Sequence, residues 1–219
     1  MYINSIQART YYKKQPNFRK ISGSMKKSAL WVLFPFLGFL IYSLQISGYM
    51  LVLSNKRVFM PDSCLAEWQM GKNICTAICW WAYSFITSIL VMPISGMLNY
   101  SLSNPENISP LFLPAFILYI LFMMVVDVAL LVFTTNLKFA SFFKFKAIKY
   151  VLVDNFVDYV KFAAIKFVIT FCWLVLIILS AITIVGPFLL IPNLIFIVAD
   201  LNAQFVRKVF KITPRELKG

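Results

Sequence analysis

Histidine is absent from all 219 residues. That removes the usual general base near neutral pH, the commonest metal ligand and the usual axial ligand of haem. Cysteine is scarce too, and Cys64, Cys75, Cys79 and Cys172 contain no Cys-x-x-Cys pair. Cys75 and Cys79 stand four apart, on one face of a helix, and small apolar packing is expected of them rather than a soft-metal or redox site. Acidic residues number only 8, and charged residues of both signs make up 13% of the chain, against about 25% in a soluble domain. The expectation is therefore no enzyme, no metal and no cofactor.

What the chain has instead is apolar surface. Hydrophobic residues reach 61% and the mean hydropathy is +0.81, which describes a polytopic membrane protein. The 21 Lys and Arg give a net charge of +13. In a soluble protein that excess would suggest nucleic acid as a partner. Here the charges flank apolar spans, so they are expected to fix orientation and to meet anionic lipid headgroups. Nucleic acid is not an expected partner.

The chain is organised around residues 162–205. These 44 residues hold only two charges, Lys166 and Asp200, and are interrupted once, at Ile184-Val185-Gly186-Pro187. About 20 apolar residues cross a bilayer as a helix, so this stretch reads as two crossings joined by a tight turn.

Residues 1–27 form a basic leader with Arg9, Lys13, Lys14, Arg19, Lys20, Lys26 and Lys27 and no acid. No apolar core follows soon enough for a secretory signal, although the composition also suits a mitochondrial transit peptide. Residues 28–53 are uncharged, but Pro35 and Gly38 fall in their first half. Proline removes a helical hydrogen bond and clashes with the preceding turn. This segment is therefore either one kinked span, or a short limb followed by a helix from about Gly38 that returns to the side it came from. A polar loop follows at 56–73, then a clean span at 75–98. The loop at 99–110 has no Lys or Arg and holds the turn cluster Asn104-Pro105-Glu106-Asn107. Use of Asn107-Ile108-Ser109 as a glycosylation acceptor is not expected. The next span is 111–135.

Residues 139–159 differ in kind. Phe142, Phe145, Ile148, Leu152, Phe156 and Tyr159 recur every three or four positions, the spacing of an amphipathic helix lying in the membrane interface. Lys138, Lys144, Lys146 and Lys149 are its candidate headgroup contacts. The tail at 207–219 is short and basic, and Pro214 discourages further helix.

The fold class expected is an all-α polytopic transmembrane bundle. It has four crossings (75–98, 111–135, 162–185, 187–205), a re-entrant or interfacial first element and the basic interfacial helix. The membrane domain covers 28–206, between the leader and the tail. With four crossings every Lys and Arg lies on or near one side, so both termini are expected in the cytoplasm, at the cell inner membrane or alternatively the mitochondrial inner membrane. Five crossings is the competing count, and it breaks the positive-inside rule.

Three charges lie within the spans. Asp127 stands eight residues from Thr135, Lys166 five from Lys161 and Asp200 six from Val206. At about 1.5 Å per residue, all three reach a depth of roughly 7–12 Å. A charge at that depth costs a few kcal/mol unless paired or wetted, so Asp127 and Lys166 are expected to pair, with Asp200 near them or snorkelling. Asn193 and Asn202 are candidates for hydrogen bonds between helices. Gly186-Pro187 and Pro192 suggest a discontinuous helix, a device of transporters.

Several short motifs resemble a known family. The run from Lys26-Lys27 through Pro35, Gly38 and Gly48-Tyr49 to Leu65-Ala66-Glu67-Trp68 is similar to the opening of a bacterial and archaeal polytopic family, domain of unknown function number four thousand and thirteen. Phe143-Lys144-Phe145-Lys146-Ala147-Ile148 with Asp154-Asn155 and Asp158-Tyr159 resembles its amphipathic segment, and Gly186-Pro187-Phe188 its closing hairpin. Ala66 stands where the family has proline, and its glycine-rich start is missing. The resemblance implies a multi-helix inner-membrane protein and carries over no catalytic residue.

Two functions fit these features. One is a non-catalytic accessory or scaffold subunit of a larger inner-membrane complex, with protein subunits and membrane lipids as partners. The alternative is a small transporter or channel using Asp127 and Asp200.

Overall fold

The computed structural model describes residues 37–61, 66, 68–103, 110–180 and 186–212, and every element among them is helical. The leader, the Pro35 break, the Asn104–Asn107 cluster, Cys64, the Ile184-Val185 turn and Pro214 lie outside the described residues. Helix α1 is Leu37–Phe59, α2 Met70–Ser103 and α3 Phe112–Phe133. A 3-10 turn at Phe139–Phe143 leads to the short α4, Phe145–Lys149, and a π turn at Tyr150–Asp154. The long helices α5, Phe156–Ser180, and α6, Gly186–Phe210, complete the fold.

Among the described residues, α2, α3, α5 and α6 are long and apolar enough to cross a membrane. They coincide with the four spans read from the sequence, and the all-α polytopic class holds. In α6 67% of the apolar window is buried by protein, against 6% in α5. Thus α6 is an inner helix, while α5 turns Phe167, Phe171, Ile178 and Leu179 outward, as lipid-facing helices do.

From Leu37 onward the first apolar element is one helix of 23 residues, ending at Phe59. It packs against both α2 and α6, and none of residues 41–60 is exposed. Its approach to α2 depends on Gly48, where an added Cβ would overlap the carbonyl oxygen of Asn73. Glycine in a helix interior costs about 1 kcal/mol relative to alanine, and here the cost is offset by backbone contact. Tyr49 continues the seam, donating its hydroxyl to the Ala66 carbonyl at 2.9 Å and packing edge-on against Phe196 of α6.

Two sequence expectations need correction. The stretch 139–159 is not one amphipathic helix, because Lys144 leaves helical geometry at ψ 69° and the π turn shifts the phase again. As a result Phe142, Ile148 and Tyr159 are buried while Phe145 and Phe156 are exposed. Asn155 ends this broken segment by donating its side-chain amide to the Tyr150 carbonyl at 3.1 Å. Nor does Pro192 interrupt α6, which runs through it. Pro187 sits in the first turn of that helix, where a missing N–H costs nothing.

The turn after α3 fixes the broken segment to the core. Asn55 of α1 donates its side-chain amide to the Thr134 carbonyl at 2.8 Å, satisfying a carbonyl at the helix end that would otherwise lack a partner. Leu137 adopts φ 55° and packs against both groups of core side chains. Phe142 is thereby inserted between Phe133 and Tyr83, with ring centroids 4.3 and 4.2 Å away and planes within 8° and 7° of parallel.

Candidate functional site

Lys166 on α5 places Nζ 2.7 Å from Oδ1 of Asp127 on α3. Residue 166 lies nearly three turns inside α5 and residue 127 under two turns from the end of α3, so both charges sit within apolar spans. The other carboxylate oxygen of Asp127 accepts a hydrogen bond from the Tyr159 hydroxyl at 3.3 Å. Lys166 also lies 5.4 Å from the centroid of the Phe162 ring, a favourable position for a cation. Phe162 in turn stacks on Phe205 of α6, with centroids 4.3 Å apart. One charge pair is thus embedded in contacts among α3, α5 and α6.

The pair is not sealed in protein, since the lysine side chain is 20% and the aspartate 29% exposed. That remaining surface is not covered by the described protein. An unpaired charge there costs a few kcal/mol, so each residue makes the other tolerable.

Asp200 is buried on α6 and accepts a hydrogen bond from Gln204 Nε2, one turn along the same helix, at 2.7 Å. Its described partner is thus local, and it is not part of the Asp127–Lys166 pair. Asn202 is fully buried, and its side-chain atoms meet no described hydrogen-bond partner. A second pair, Lys208–Asp158 at 2.7 Å, ties α6 to the start of α5 at a solvent-accessible position. Lys138, Lys144, Lys146 and Lys149 are all exposed. Exposed Phe143, Phe145 and Val153 lie among or just beyond them, so the broken segment still presents cations and aromatic rings together.

Sequence reasoning missed Tyr159, because it was assigned to an interfacial helix rather than to the turn that starts α5. It also missed Arg57, which is almost wholly buried and donates to the Pro61 carbonyl. Its position beside Lys56 at the end of an apolar run gave no hint of burial. Among the described residues no group of three acidic or cysteine side chains is arranged to hold a metal ion. Two cavities, one at the α1–α2 junction and one between α2 and α3, are lined by none of Asp127, Lys166 and Asp200.

Compared with protein-family models, curated proteins and solved structures, the chain matches none.

Proposed function

We propose that this protein is a non-catalytic integral membrane protein serving as an accessory or scaffold subunit of a larger inner-membrane complex. The observation that carries the reading is the state of Asp127. Both its carboxylate oxygens are engaged, one by Lys166 Nζ and the other by the Tyr159 hydroxyl. A proton or cation relay needs a carboxylate that changes partners, whereas a helix-to-helix lock needs one that keeps them. The outward surface of α5 supports the same reading, because it offers a neighbouring subunit or lipid a long apolar face.

In this proposal the lysines at 138, 144, 146 and 149 rest on anionic headgroups of the cytoplasmic leaflet, both termini lie in the cytoplasm and four helices cross. The kinship with domain of unknown function number four thousand and thirteen belongs to the proposal too, and adds no activity to it.

The competing reading is a small transporter or channel using Asp127 and Asp200, and one experiment separates the two. Wild type and Asp127→Asn are compared for co-purifying subunits in mild detergent and for ion flux in proteoliposomes. The subunit reading expects the variant to lose partners or stability, with no flux in either protein. Intact assembly together with a flux that the variant abolishes would reverse the assignment.

A further inference from the structure

Asp127 and Lys166 neutralise each other, yet part of both side chains stays uncovered, 29% of the aspartate and 20% of the lysine. Charged groups within a span turn to the bundle interior or to a wet cavity, so a pair left partly open there is unusual. The surface beside it is open too. On α3, Leu113, Phe116, Ile120 and Met123 precede Asp127 at intervals of three and four, which aligns them with it on one helical face. All four are exposed. Buried residues of α3 are confined to 128–133, and those of α5 to Tyr159 and Phe162. Thr170 and Leu174 continue the line of Lys166 along α5, and both are exposed. The pair thus sits at one end of an apolar strip on α3 and α5 that runs away from the broken segment.

A surface that matches this strip must offer one anion and one cation at the depth of Asp127 and Lys166. Hydrocarbon offers neither. An unrelated membrane protein would need both charges at that level, whereas a second copy of this chain has them by symmetry. A two-fold axis along the membrane normal keeps the copies in one orientation and makes every contact reciprocal. Lys166 of each copy then meets Asp127 of the other, and four charges alternate around the axis. We propose that the protein forms a two-fold homodimer through this α3–α5 face, with the two ion pairs closing on each other and the apolar strips packed beside them. The inference goes beyond the accessory role and does not require it, because two copies can pair with or without other subunits.

The test uses the full chain in mild detergent, with mass read by light scattering and with differently tagged copies co-expressed for capture. Wild type should be a dimer. Asp127→Asn leaves a lone cation in each copy and Lys166→Met a lone anion, so each variant alone should self-associate about tenfold more weakly than wild type. Co-expressed, the two variants should capture each other about tenfold better than either captures itself, since one Lys166–Asp127 contact between chains returns. A second arm leaves the pair intact. With the native cysteines replaced, Ile120→Cys should cross-link to its copy through a short bismaleimide in the membrane, and Phe85→Cys, exposed on α2, should not. If a single variant fails to fold, as circular dichroism reads, the wild-type mass and the cysteine arm decide. The inference is overturned if wild type is monomeric, if folded single variants dimerise as well as wild type or do not capture each other, or if Ile120→Cys cross-links no better than Phe85→Cys.

Discussion

Gly48 lies against the backbone of Asn73, so that the carbonyl oxygen of Asn73 occupies the space a side chain at position 48 would take. The obstacle is main chain on a long helix and cannot swing aside as a flexible side chain would. Gly48→Ala, which in an unhindered helix stabilises by about 1 kcal/mol, should instead destabilise by about 1–3 kcal/mol. Thermal unfolding in detergent reads the sign, and a raised midpoint would mean that α1 and α2 do not meet at this position.

The ring stack around Phe142 makes a different kind of prediction, because it anchors a segment with little regular structure. Phe142 is 1% exposed, and Phe142→Ala should cost about 3–5 kcal/mol. Phe142→Leu keeps most of the apolar area but loses the two stacked contacts with Tyr83 and Phe133, worth about 0.5–1.5 kcal/mol each, and the wider ones with Trp80 and Phe139. Limited proteolysis within 138–155 should therefore accelerate strongly in the alanine variant and slightly in the leucine variant. Equal rates in wild type and Phe142→Ala would contradict the anchoring.

At the end of α6, Lys211 adopts φ 50°, and the Ile212 amide closes the helix on the Arg207 carbonyl at 3.2 Å. The left-handed conformation suits glycine, and Lys211 is exposed. Lys211→Gly should raise stability by about 0.5–1 kcal/mol. A lower unfolding midpoint would show that the lysine makes a contact worth more than the strain.

Topology gives a fourth prediction. With Cys64, Cys75, Cys79 and Cys172 replaced, single cysteines at Asn104 and Arg215 should label with a membrane-impermeant reagent from opposite sides. Three spans, α3, α5 and α6, separate those positions. Labelling from one side would remove one of the three crossings.

Much of the architecture is legible in the sequence, because a bilayer imposes length and apolarity on a helix regardless of packing. The depth argument also brought Asp127 and Lys166 together, since two isolated charges of opposite sign at matched depth have few other ways to be tolerated. Local detail was less accessible. The periodicity of 139–159 continues across a break at Lys144, so six correctly spaced side chains concealed three short pieces. The Tyr83–Phe142–Phe133 stack joins residues up to 59 apart in the chain, and no local pattern announces it. Helix α2 begins five residues before the apolar run that marks it, because polar Asn73 is covered by α1. Asp200 found a partner four residues along its own helix, and the spacing to Gln204 was readable but unweighted.

The account depends most on the Asp127–Lys166 pair acting as a lock between α3 and α5. A double-mutant cycle with Asp127→Asn, Lys166→Met and both together, read by unfolding in detergent, tests this directly. A lock predicts a coupling energy of about 1–3 kcal/mol, with the double variant more stable than the sum of the single losses. Single losses that simply add, within about 0.5 kcal/mol, would contradict it.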